Sequence, residues 1–167
     1  MDERAAIEQA RTLFLDDRNI FGCAETTFVA LKGAFGLPDA PDSSAAMALN
    51  GGIAYSGGMC GAICGAAMAV GLLAERRIPD HREAKRAARR ITARLMDAFA
   101  AEHGAVDCRE LLGMDLRTEE GHAAFIDSGI WRDRCMRQIE FSIRRLAELA
   151  GEAAWDEALR ELDESSP

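Results

Sequence analysis

The stretch Gly57-Gly58-Met59-Cys60-Gly61-Ala62-Ile63-Cys64-Gly65-Ala66-Ala67-Met68-Ala69-Val70-Gly71-Leu72-Leu73-Ala74 decides the fold. It ends a charge-free run that begins at Ser43 and stops before Glu75, long enough to span a bilayer. The composition argues against a span: Gly51 to Ala74 holds seven glycines and two cysteines, with Ser56, Tyr55 and little Leu or Ile. Residues 50–58 read as a loop in which Gly51, Gly52, Gly57 and Gly58 leave the backbone free and its N–H groups bare. Such a loop suits an anion, a sulfide bridge or a small ligand, and equally a tight crossing of chains. Only about 59–74 reads as helix, short for a span, and the expectation is a helix buried on all sides of a soluble core. Gly57, Gly61 and Gly65 recur every fourth residue and Ala69 follows, a seam along which another helix can approach closely.

Working outward, every other segment also reads as helix. Residues 2–17 carry Ala5, Ile7, Leu13 and Phe14 at helical spacing, and Cys23 to Phe35 carries Ala24, Phe28, Leu31 and Phe35 on one face. Gly36-Leu37-Pro38 stops the second helix, and Asp42-Ser43-Ser44 offers an N-cap for a short one ending at Leu49. Asp80 to about Glu102 is a long helix closed by His103-Gly104; Cys108 to Leu112 is a short one stopped by Gly113. Thr118 caps a helix to Asp127, with Gly121 where a capping box wants Glu. Ile130 to Leu149 is the last long helix, 152–163 adds an acidic one, and Ser165-Ser166-Pro167 is tail. No segment alternates with period two. The expected fold is all-α: a single-domain helical bundle around the Gly-rich helix, with a four-cysteine domain over 1–150 and an acidic helical extension over 151–167.

At 167 residues, 49% apolar and 29% charged, the chain is long enough for one domain with its own core. A net charge of −8 makes nucleic acid and anionic membrane poor partners. The opening residues Met1-Asp2-Glu3-Arg4 lack the basic start and apolar run of a secretory signal, so the expected location is cytoplasmic. There, thiols stay reduced unless they bind metal or perform redox chemistry. The one basic region is 76–94, where Arg82, Arg86, Arg90 and Arg94 form a stripe opposite Ala84, Ala87, Ala88, Ile91 and Leu95. It reads as a solvated face that balances acidic helices such as 152–163.

Five cysteines, Cys23, Cys60, Cys64, Cys108 and Cys135, stand one per element apart from the Cys60/Cys64 pair. They form no CxxC. Cys23 follows Gly22 at a helix start, Cys60 falls in the first turn of the central helix, Cys108 opens the short helix and Cys135 lies one turn into the last long one. Helix N-termini present free N–H groups and partial positive charge, which favour thiolate, the form that attacks and that binds metal. Any one buried Cys is more often packing; the repeated placement points to function. Cys64, four residues after Cys60, shares its helix face; it reads as packing on the glycine seam, with a substitute ligand or resolving thiol as the alternative. Glu25 and Asp107 flank cysteines and can accept N–H groups at helix starts, Tyr55 can line a pocket, and His103 lies a few residues before Cys108.

The ordered set Gly22-Cys23-Ala24-Glu25, the loop 51–58, Cys60-Gly61-Ala62-Ile63-Cys64-Gly65 with Met68-Ala69-Val70-Gly71-Leu72, Cys108-Arg109-Glu110-Leu111-Leu112-Gly113 and Cys135 resembles the C_GCAxxG_C_C family of redox-active proteins over roughly residues 5–150. The resemblance implies a small helical bacterial or archaeal protein whose signature cysteines map onto Cys23, Cys60, Cys108 and Cys135. Members are typically encoded near transporters or oxidoreductases. A related domain in split-Soret cytochromes suggests an iron–sulfur centre.

Three functions follow as expectations. The first is a redox protein whose four thiolates bind an iron–sulfur cluster, most simply 2Fe–2S, beside Gly57, Gly58 and Gly61, and which exchanges electrons with a partner oxidoreductase. The second is a metal-free protein whose cysteine pairs cycle between thiol and disulfide. The third is a structural zinc module acting through its surface. The glycine seam and small size are compatible with a homodimer.

Overall fold

A computed structural model describes residues 1–164; the tail Ser165-Ser166-Pro167 lies outside the described residues. Eight α-helices follow in order: α1 Glu3–Phe14, α2 Cys23–Ala34, α3 Gly61–Arg77, α4 His81–His103, α5 Cys108–Leu112, α6 Glu119–Asp127, α7 Met136–Leu146 and α8 Glu152–Glu164. Two 3-10 turns, Ser44–Leu49 and Ala147–Ala150, and a π-helical turn at Trp131–Cys135 complete the set. Among the described residues there is no strand; a lone antiparallel bridge joins Met59 to Asp107. The all-α expectation holds. Among the same residues no helix is long and apolar enough to cross a membrane.

The most enclosed helix is α2, with Ala24 through Lys32 all buried. Its periodicity predicts one apolar face, but α1, α3 and α7 surround it, so Thr26 and Thr27 are buried along with Phe28 and Leu31. Lys32 is buried because its ammonium donates to the carbonyls of Asp39 and Asp42 at 2.7 Å and lies over the Phe28 ring. The seam read from the sequence is the α2–α3 contact. A Cβ on Gly65 would stand 2.2 Å from the Ala24 carbonyl oxygen, and one on Gly61 would stand 2.4 Å from Cys23 Sγ. Only glycine lets the two backbones meet this closely.

The central helix differs from its expected form in two ways. It runs from Gly61 to Arg77, past the apolar stretch, because Arg76 and Arg77 find carbonyl partners on neighbouring segments: Gly36 for Arg76, Leu149 and Ala150 for Arg77. It is also not buried on all sides. Leu72, Glu75 and Arg76 are exposed, and Met68 and Gly71 line an open apolar groove with Phe28, Leu37 and Pro38.

The other boundaries follow local chemistry. Asp80 Oδ1 accepts from Glu83 N at the start of α4, and Gly104 ends it in the left-handed region at φ +86°. Thr118 Oγ1 caps α6 by accepting from Gly121 N. Ser43 does not cap its turn; its hydroxyl donates to Glu25 Oε1. The helix expected over 130–149 is broken into the π turn, α7 and a 3-10 turn. The acidic α8 lies against α4, with Trp155 and Leu162 in the core, Arg77 over the Trp155 ring and Arg94 paired to Glu161 at 2.9 Å. The basic stripe of α4 thus meets the acidic helix at Arg94, while Arg86 pairs with Glu83 of its own helix.

Candidate functional site

The glycine-rich loop is built to bring two distant cysteines side by side. Segment 57–60 zips against 106–109: Cys60 N donates to Val106 O at 2.8 Å, Cys108 N to Gly58 O at 2.7 Å and Arg109 N to Gly57 O at 3.0 Å. Gly57, at φ +82°, has no room for a side chain beside Arg109. The N–H groups of Gly57 and Gly58 are spent inside the loop, on the carbonyls of Gly51 and Gly52. Gly51 through Tyr55 all take positive φ, non-glycine Ile53, Ala54 and Tyr55 included. That left-handed turn is strained for a β-branched residue. It swings Tyr55 over the site, where its ring meets His122 edge-on at 5.2 Å.

Cys23 opens α2 one residue after the cap Gly22. Gly22 has no side chain to cap with, so Glu25 in the first turn accepts from Gly22 N at 3.0 Å and Asn50 Oδ1, from outside the helix, accepts from Ala24 N at 2.9 Å. Asn50 Nδ2 donates back to Glu25 at 2.9 Å. The N-cap role read for Glu25 is present; Asp107 makes no side-chain cap bond.

Cys23, Cys108 and Cys135 line one cavity of about 130 Å³, walled by Phe14, Leu112, Leu116 and Trp131, with Tyr55 and Ile126 at its exposed rim. Cys60 lies outside that lining, 2% exposed, close enough that charge on Cys23 and Cys108 acts on it. Cys64 feels Cys23 alone, and its Sγ lies 3.7 Å from the Met59 carbonyl oxygen. All five cysteines are free. Among the described residues no three His, Cys, Asp or Glu side chains stand around a common point in the geometry of a single-ion site.

Two expectations about these thiols are corrected. Cys60 is the N-cap of α3, not part of its first turn, because its φ and ψ of −54° and 131° are those of the pairing with Val106. Cys135 lies one turn into the last helical run, as its sequence position implied, and closes the π turn there. The helix ends also do not hold the thiols as anions. Burial pushes every one of them up, Cys64 to about 11 and Cys108 to about 12, and Cys60 and Cys135 well above the ordinary value. For Cys23, burial outweighs N–H groups from Gly51, Ala24 and Gly61 that favour the anion. Desolvation of a charge costs more than a few dipoles return.

His103 does not approach this cavity. Its ring packs between Phe99 and Phe141, at centroid distances of 4.5 and 5.1 Å. The sequence reading missed His122, Asn50, Trp131 and Gln138. Trp131 is buried with its indole Nε1 unpartnered among the described residues, and Gln138 accepts from Cys60. No local pattern marks these four; they are set by tertiary contact, although the Asn50-Gly51 turn signal was open to reading.

The fold and site define a helical protein with three cysteines lining one small cavity and a fourth buried beside it. The chain belongs to the C_GCAxxG_C_C family, described as "Putative redox-active protein (C_GCAxxG_C_C)", whose model matches residues 21–149. No curated protein and no solved structure matches the chain.

Proposed function

We propose that Cys23, Cys60, Cys108 and Cys135 hold one iron–sulfur cluster, most simply of the 2Fe–2S type, and that the chain exchanges electrons with a partner oxidoreductase through it. The observation that carries this reading is convergence: thiols from α2, α5 and the π turn face one small cavity, with the Cys60 thiol packed beside them. The residues fit the group in kind. An all-sulfur donor set selects iron–sulfur clusters, zinc or copper(I). Gly61 leaves Cys23 Sγ the space a Cβ would fill, and the Trp131 indole N–H on the cavity wall is a donor with no partner among the described residues.

A bound cluster would supply one-electron chemistry to the chain. The protein's part is to deprotonate, orient and enclose. Each thiol must lose its proton on binding, and the N–H groups of Gly51, Ala24 and Gly61 then meet the Cys23 sulfur. Phe14, Leu112, Leu116 and Trp131 keep the centre dry. Tyr55, His122 and Ile126 make the side on which a partner comes closest.

The alternatives fit less well. Zinc wants four ligands at about 2.3 Å from one point, and among the described residues no three donors are so disposed; a cluster bridged by sulfide spans a wider gap. Thiol–disulfide exchange needs a thiolate, and burial pushes the Cys108 and Cys135 thiols up, away from that form; metal binding supplies the energy that draws the proton off, and exchange has no such aid. Anaerobic purification followed by a visible spectrum with iron, sulfide and zinc assays decides. Brown protein with equal iron and sulfide is expected; colourless protein with stoichiometric zinc, or with no metal and a thiol count that follows the reductant, overturns the reading.

A further inference from the structure

We infer that Gln138 is a positioning residue of the thiol centre: its carboxamide holds the Cys60 sulfur, and presents its N–H to that sulfur once the sulfur carries charge. The inference deepens the cluster reading and rests on it.

Gln138 lies on α7, a helix whose inward side is apolar at Ile139, Ile143 and Leu146. It is 5% exposed, and burying an amide is unfavourable unless it is hydrogen-bonded. Its oxygen lies 3.6 Å from Cys60 Sγ and accepts from that thiol, which is itself buried. The two residues are 78 positions apart, so this contact ties α7 to the head of α3. A thiol is a weak donor, and as an anchor for a buried glutamine it is a poor choice if packing were the only aim.

The amide's chemistry resolves this. A carboxamide is two-faced, its oxygen accepting and its NH₂ donating. The thiol uses the first face. A sulfur bound to metal has no proton to give, and only the second face can meet it. Half a turn about the last side-chain torsion exchanges them. The turn is accommodated because Gln138 also borders a polar cavity of about 450 Å³, shared with Glu102, His103, Glu110, Arg134 and Arg137. Water there can serve whichever half faces away from Cys60. The helix itself need not shift, since Ser142 Oγ holds the Gln138 carbonyl at 3.0 Å. Donors to ligand sulfur favour the reduced, more negative state and raise the reduction potential.

Two variants test this. Gln138→Met keeps the volume and removes both faces; Gln138→Glu keeps an acceptor and, when ionised, removes the donor. The first readout is the infrared S–H stretch of the metal-free protein, assigned with Cys60→Ala. The Cys60 band is expected to move to higher frequency in Gln138→Met and to stay lowered in Gln138→Glu. The second readout is the midpoint potential of anaerobically reconstituted protein titrated with dithionite, one electron passing from titrant to one ferric iron per centre. Both variants are expected to shift to more negative potential by about a tenfold change in the reduction equilibrium, about 59 mV for a one-electron couple. An unmoved band in Gln138→Met, or potentials equal to the parent's in loaded variants, overturns the inference. A parent that takes up no iron and sulfide overturns the cluster reading instead, and the infrared arm still decides whether Gln138 holds Cys60.

Discussion

The α2–α3 seam and the α6 cover are opposites in packing, and residues of both sides line the thiol cavity. At the seam, Gly61 and Gly65 press against the backbone of α2, and nearly every α2 residue is buried. Across the cavity, α6 has no buried residue; His122, Phe125 and Ile126 reach the cavity from a helix flanked by Gly113 and Gly129, both at positive φ. Cys23 and Cys60 belong to the rigid side, Cys108 is fastened to it through Gly58, and Cys135 stands at the π turn just past the cover. The arrangement keeps the thiols of four segments in register while leaving one wall lightly held. A site that must be loaded, and then kept dry, needs both properties.

The comparison breaks most violently at Gly65. A side chain there collides with the Ala24 carbonyl, so Gly65→Val is expected to lose about 3 kcal/mol or more in urea unfolding; stability equal to the parent's means the seam is not close-packed. Hydrogen exchange sharpens it from the other side. Amides of α6 are expected to exchange about 100-fold faster than those of α2, since they open without global unfolding, and equal protection of the two helices means that α6 is no separate cover. Alkaline titration reaches the thiols between them. Their folded pKa values lie above the unfolded value, so the folded state holds protons that the unfolded state releases. Stability is therefore full below pH 9 and declines as pH rises toward about 11 for Cys64 and about 12 for Cys108. Urea midpoints measured from pH 7 to 10.5 check this sign, and a midpoint that rises with pH contradicts it. The smallest effect is at Gly71, on the same helix as Gly65 but facing open space. Gly71→Ala is expected to gain about 0.5–1 kcal/mol from reduced unfolded-state entropy, and a loss there means that the groove is filled in solution.

The fold was legible because the cues were local. Gly36, Gly104 and Gly113 stop their helices, Thr118 and Asp80 start theirs, and the four-residue glycine rhythm of α3 marks its contact with α2. Cys23, Cys60 and Cys108 were legible for the same reason, each beside a glycine or a helix boundary, and the resemblance to the family added Cys135, which has no local mark. What was hidden depends on burial, which sequence spacing does not report. The amide-rich ends read as thiolate-stabilising, yet the same packing that brings Cys108 and Cys135 together strips their water and keeps them protonated. Likewise Gln138 and Trp131 look like ordinary residues of an amphipathic helix until α3 and α1 close over them. The π turn has no clear sequence mark; it rotates Trp131 and Cys135 onto the same cavity.

The most direct test counts iron and acid-labile sulfide per chain in anaerobically reconstituted parent protein and in five single Cys→Ser variants, each retaining its helical circular dichroism. The account predicts a loaded parent, loss of loading in Cys23→Ser, Cys60→Ser, Cys108→Ser and Cys135→Ser, and parent-like loading in Cys64→Ser. Loading that survives any of the first four substitutions undiminished, or that disappears with Cys64 alone, contradicts a shared four-thiol centre.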